Sequence, residues 1–113
     1  MRFSVEQDDE LVVFTIKEPI LDSAMAPEVK SELLILCQPS VKALIIDLSM
    51  VQMCDSQGLS SLLLAHRQMK EHEGFVVLAG VQDTVRGLFR ISQIEYLFEF
   101  QPGVNDAITW LQS

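Results

Sequence analysis

Hydrophobic and polar positions along the chain change period several times, and each change marks an element. Phe3-Ser4-Val5 alternates, Gln7-Asp8-Asp9-Glu10 is polar, and Leu11 to Ile16 forms a second apolar run. The close spacing predicts a hairpin, so the first strand pairing is antiparallel. Pro19 is predicted to end the second strand, since it has no N–H to give a ladder. Met25, Val29, Leu33 and Leu36 then recur at helical spacing, with Asp22 or Ser23 able to cap a helix that runs to about Cys37. Pro39-Ser40 breaks it. Val41 to Leu48, centred on Ala43-Leu44-Ile45-Ile46, is a short continuous apolar run of the kind found in strands buried on both faces. Leu59, Leu62, Leu63, His66 and Met69 restore the helical period, predicting a helix from Ser56 to about His72 that Glu73-Gly74 closes. Phe75 to Ala79 reads as a strand, and Gln82 to about Ser92 as a helix with Val85, Leu88, Phe89 and Ile91 inward. Leu97 to Phe100 reads as a last strand. Gly103 to Leu111 reads as a closing helix packed through Val104, Ala107, Ile108 and Leu111, with Trp110 half buried at its edge.

Alternating strands and helices of this length imply an α/β fold: a mixed, mostly parallel sheet with right-handed crossovers, an antiparallel N-terminal hairpin and about four helices. At 113 residues and 49% hydrophobic content, the whole of 1–113 is expected to be one domain with a substantial core. A net charge of −8 argues against nucleic acid and suits a partner with a basic face. No apolar run approaches the roughly 20 residues that span a bilayer. The start Met1-Arg2-Phe3-Ser4 has no signal-peptide core, so the expected location is the cytoplasm, with no membrane partner. Cys37 and Cys54 are too few and too far apart for a disulfide framework, and both are expected to be small buried hydrophobes.

Catalytic motifs fail one by one. Cys54 opens something like a phosphatase loop, but the position that loop gives to arginine is Ser60. There is no Gly-x-x-x-x-Gly-Lys, and Asp55-Ser56-Gln57-Gly58 is not a Gly-x-Ser-x-Gly elbow. His66 and His72 are not an i, i+4 pair; His66 lies on the apolar stripe, and His72 reads as a solvated residue at a helix end. Arg86 and Arg90 read as a solvated helix face. No metal, no cofactor and no enzyme activity is expected.

One junction remains. Asp55 sits where an N-cap belongs, which puts Ser56 in the first helical turn at the end of a buried strand, where the helix dipole favours negative charge. Taken alone, this reads as a capped helix. The run Ile46-Asp47-Leu48-Ser49-Met50-Val51-Gln52-Met53-Cys54-Asp55-Ser56-Gln57-Gly58-Leu59, with Lys70-Glu71-His72-Glu73-Gly74-Phe75-Val76-Val77-Leu78-Ala79-Gly80-Val81 after it, resembles the signature of STAS domains of the anti-sigma-factor antagonist family. The resemblance covers nearly the whole chain. It departs at Gln57, where the family has a small residue, and at Glu18-Pro19-Ile20, where the family's glycine before Asp22 is missing.

The resemblance implies a STAS-type fold and a regulated phosphorylation site at Ser56. It implies two partners, an anti-sigma factor that is also an ATP- and Mg²⁺-using serine kinase, and a metal-dependent serine phosphatase that resets the site. Asp22, which corresponds to an acidic position of the family's partner surface, joins Ser23, Asp55, Ser56 and Gln57 as expected partner contacts, along with Gln82, Asp83 and Thr84 at the same sheet edge. Leu64, off the apolar stripe, is a further expected contact, and the chain is expected to be a monomer or weak dimer. Two rival readings stay open: an interaction subunit of a lipid-exporting ABC system, and a small-molecule or nucleotide-binding domain, which the missing phosphate loop disfavours.

Overall fold

The run Val41–Leu48 supplies the central strand. In the computed structural model, which describes residues 1–113, β4 (Ala43–Asp47) lies in the middle of a five-stranded sheet. The other strands are β1 (Phe3–Asp8), β2 (Leu11–Ile16), β6 (Phe75–Ala79) and β7 (Glu99–Gln101), in the order β1-β2-β4-β6-β7. β1 and β2 are antiparallel, and every other pairing in this sheet is parallel. The hairpin turn is tighter than the sequence suggests: β1 continues to Asp8, and Asp9 takes the left-handed conformation at φ 58. Asp tolerates that region better than most residues.

The helices are α1 (Ala26–Leu36), α2 (Ser56–Lys70), α3 (Asp83–Ile91) and α4 (Val104–Gln112). Leu44, Ile46 and Leu78 point to one face of the sheet and pack with Val29 and Leu33 of α1, Leu59, Leu62, Ala65 and Met69 of α2, and Val85 and Phe89 of α3. The other face carries only α4, whose Ala107 packs on Ile45, Val77 and Ala79. Right-handed crossovers between strands added in one direction put α1 to α3 on the same face. Both faces of β4 are covered, so its sequence is continuously apolar rather than alternating.

A second, two-stranded sheet goes beyond what the hydrophobic pattern predicts. β3 (Ile20–Leu21) and β5 (Met53–Cys54) pair in parallel, Ile20 against Met53 and Leu21 against Cys54. Pro19 does not close the region, because its carbonyl accepts from the N–H groups of Gln52 at 2.7 Å and Met53 at 3.1 Å. Proline lacks a donor but keeps its acceptor.

Four further expectations are corrected. Ile91 is the last residue of α3 and is 83% exposed, since the apolar stripe ends at Phe89. The ring of His72 is half-buried and within 2.8 Å of the Val41 carbonyl oxygen, which ties the end of α2 to the start of β4. Arg86 and Arg90 are more than a solvated face: their Nε groups reach one Glu95 carboxylate oxygen at 2.7 and 3.1 Å, and the Arg86 guanidinium lies 3.7 Å over the Phe100 ring. Cys37 is buried as expected, but Cys54 is only half-buried.

Candidate functional site

Asp55 organises the junction between β5 and α2. Its backbone is extended (φ −104, ψ −176), and its Oδ1 accepts from the N–H groups of Gln57 and Gly58, both at 2.9 Å. Its Oδ2 accepts from the Ser23 N–H at 3.2 Å, and its own N–H donates to the Leu21 carbonyl. The expected N-cap is therefore present and also ties the helix start to the loop after β3. Gly58 makes that approach possible: a Cβ there would collide with the Leu21 carbonyl oxygen and come within 2.9 Å of the Cys54 Sγ. Burial, with the Asp55 charge beside it, pushes the Cys54 thiol up to about 12, so it stays protonated at neutral pH.

Ser56 is the first residue of α2 and is exposed, as is Gln57. The Gln57 and Gly58 N–H groups are committed to Asp55, so a group on Ser56 meets the helix dipole and the Ser56 N–H, which has no protein acceptor. The neighbouring serines are less available. Ser60 is half-buried, and Ser61 is buried with its hydroxyl donating to the Gly58 carbonyl.

Asp22 caps the turn before α1 rather than α1 itself. Its Oδ1 accepts from Ala24 and Met25 N–H groups at 3.1 and 3.3 Å, while the helix begins four residues later with Met25 at the cap position and no side-chain cap. Ser23 is exposed and enters the site through its backbone. On the other flank, Gln82 Nε2 donates to the Ser49 carbonyl at 2.9 Å and Thr84 Oγ1 to the Gln52 carbonyl at 3.0 Å. Those two side chains stitch the α3 start to the β4–β5 connection, which leaves Asp83 exposed beside them. Thus the loops carrying Asp22-Ser23, Asp55-Ser56-Gln57 and Gln82-Asp83-Thr84 meet at the carboxyl ends of the strands. Leu64 does not join them: it is half-buried and lies about 12 Å along α2 from Ser56. A shallow cavity of about 350 Å³ at this edge is lined by Gly80, Val81, Arg86, Phe100, Gln101 and Pro102, but its one charged group, Arg86, is already paired with Glu95.

The sequence profile of the STAS domain matches residues 2–107. This chain belongs to the STAS domain family. Among STAS relatives, BtrV of Bordetella bronchiseptica, a candidate anti-sigma factor antagonist, is 24% identical over 98 residues, covering 87% of this chain and 84% of BtrV. The anti-sigma factor antagonist SpoIIAA in its unphosphorylated form superposes with a TM-score of 0.83 at 20% identity, covering 98% of this STAS domain and 96% of SpoIIAA. SpoIIAA of Bacillus has also been solved in its phosphorylated form, which superposes at 0.76 and 20% identity over 97% of this chain and 99% of that one. The STAS fold also occurs inside the murine anion transporter Slc26a9, with a TM-score of 0.74 at 17% identity, covering 95% of this chain and 18% of the transporter. At these identities the structural likenesses establish the fold, and the function must be argued from the site. No helix is long and apolar enough to cross a membrane.

Proposed function

We propose that this STAS domain is an anti-sigma factor antagonist. Unphosphorylated, it binds an anti-sigma factor that is also a serine kinase, freeing a sigma factor; phosphorylation of Ser56 breaks the complex, and a metal-dependent phosphatase restores it. The observation that carries the reading is the exposed Ser56 hydroxyl at the first residue of α2, held among three loops at the sheet edge. A phosphate there adds about −1.5 to −2 charge and three acceptor oxygens. Asp55 already occupies two of the helix's N–H groups, so within the domain the added charge is offset in part, by the helix dipole and the Ser56 N–H. A partner surface shaped for a neutral hydroxyl then meets repulsion and a desolvation cost. Loss of a few kcal/mol is more than a hundredfold in affinity.

Incubation with the cognate kinase and ATP, followed by phosphopeptide mapping, tests this reading. Label is expected on Ser56 alone, with the phosphorylated protein failing to bind the kinase. Label that persists in Ser56→Ala would overturn the assignment.

A further inference from the structure

The outward face of the β3–β5 ribbon is apolar where a solvent-facing strand pair is ordinarily polar. Leu21 is fully buried and Cys54 half-buried, so alternation turns Ile20 and Met53 outward. They are register partners, which places their Cα atoms about 5 Å apart, and they are 44% and 63% exposed. Met50, on the same β4–β5 connection, is also exposed. One exposed apolar side chain means little, but two adjacent ones on a rigid ribbon form a patch. The ribbon is held on both flanks: Ser23 bonds to Asp55 on one side, and Thr84 bonds to Gln52 on the other. Asp22 and Asp55 directly follow the two strands, and Asp83 precedes Thr84 at the other flank, in a chain of net charge −8.

We infer that Ile20 and Met53 are the apolar anchor of the surface that the kinase covers, and that the kinase presents an apolar pocket bordered by basic side chains. This rests on the function proposed above and adds the chemistry of the partner. An apolar centre inside a polar rim is the usual anatomy of a binding hot spot. Methionine suits such a centre because its unbranched thioether adapts to the opposing surface. The patch also explains why a phosphate on Ser56, three residues from Met53, would be so disruptive. A dianion beside a surface that must become dry cannot keep its water.

Calorimetric titration of the full chain with its cognate kinase tests the inference, using wild type, Ser56→Asp, Met53→Ser, Ile20→Ser and the distant control Ile91→Ser. Met53→Ser and Ile20→Ser are each expected to weaken binding at least tenfold with an unchanged melting temperature, while Ile91→Ser binds as wild type. Affinity is also expected to fall as salt is raised, as a basic border on the partner requires. If wild type binds and Ser56→Asp does not, yet both ribbon variants bind as wild type, the anchor is wrong and the phosphoswitch stands. Affinity independent of salt overturns the basic border. Failure of wild type to bind any such kinase overturns the proposed function, and the anchor with it.

Discussion

At the scale of single residues, the site depends on one glycine and one aspartate. Gly58 is needed for space, not for an unusual backbone, because an added methyl group would press on the Leu21 carbonyl of another segment. Gly58→Ala is expected to cost about 2 kcal/mol, more than the roughly 1 kcal/mol that alanine returns as a better helix former. Urea unfolding measures the loss; a variant as stable as wild type would mean that α2 can shift away from β3 at no cost. The cap role of Asp55 was legible in the sequence because capping is local, with the acceptor two and three residues from its donors. Its bond to Ser23, 32 residues away, was not. Nor was the fate of His72, whose partner carbonyl on Val41 lies 31 residues back.

At the scale of elements, α3 is fastened to the single 3₁₀ turn Glu95–Leu97 by the Arg86–Glu95–Arg90 clamp. The hydrogen bond from Arg86 holds the Glu95 carboxyl below its ordinary range against the opposing effect of burial, and the charges of Arg90 and Arg86 add to it. A folded-state pKa below the unfolded one means that the unfolded chain binds the proton more readily. The clamp's contribution is therefore present above the ordinary carboxylate range and is lost as pH falls through it. Glu95→Gln is expected to lower the melting temperature at neutral pH by a few degrees or less, since the clamp is solvent-accessible. The gap to wild type should close in acid, and scanning calorimetry over a pH series checks it. Long periodic elements were readable because helix and strand periods repeat several times in α2 or β2. β3 and β5 have two residues each, too few for any period to show, and they find each other across 33 positions. Ile20 and Met53, the residues that pairing turns outward, were invisible for the same reason.

At the scale of the whole molecule, the mostly parallel sheet and the gathering of the three loops at the carboxyl ends of its strands followed from the alternation of strands and helices. The bonds that join those loops, Ser23 to Asp55 and Thr84 to Gln52, depended on contacts that no local pattern encodes. The switch should act without refolding, since Ser56 is exposed at a helix start and its hydroxyl makes no hydrogen bond within the domain that a charge would break. Ser56→Asp is expected to keep its circular dichroism spectrum and melt within about 2 °C of wild type, an interval that corresponds to less than about 0.5 kcal/mol in a domain of this size. A larger drop would show that the charge acts inside the domain. The two faces of the sheet are not equally secured. Three helices share a large core on one side, whereas α4 is held through the small cluster of Ile45, Val77, Ala79 and Ala107. Local opening starts where the least apolar surface must be exposed. Amides of α4 should therefore trade their hydrogens for deuterium well before those of α2 or β4, in a partial unfolding that leaves the edge carrying Ser56 intact. Hydrogen exchange resolved by mass spectrometry would register this as a separate, faster class of amides near the carboxyl end.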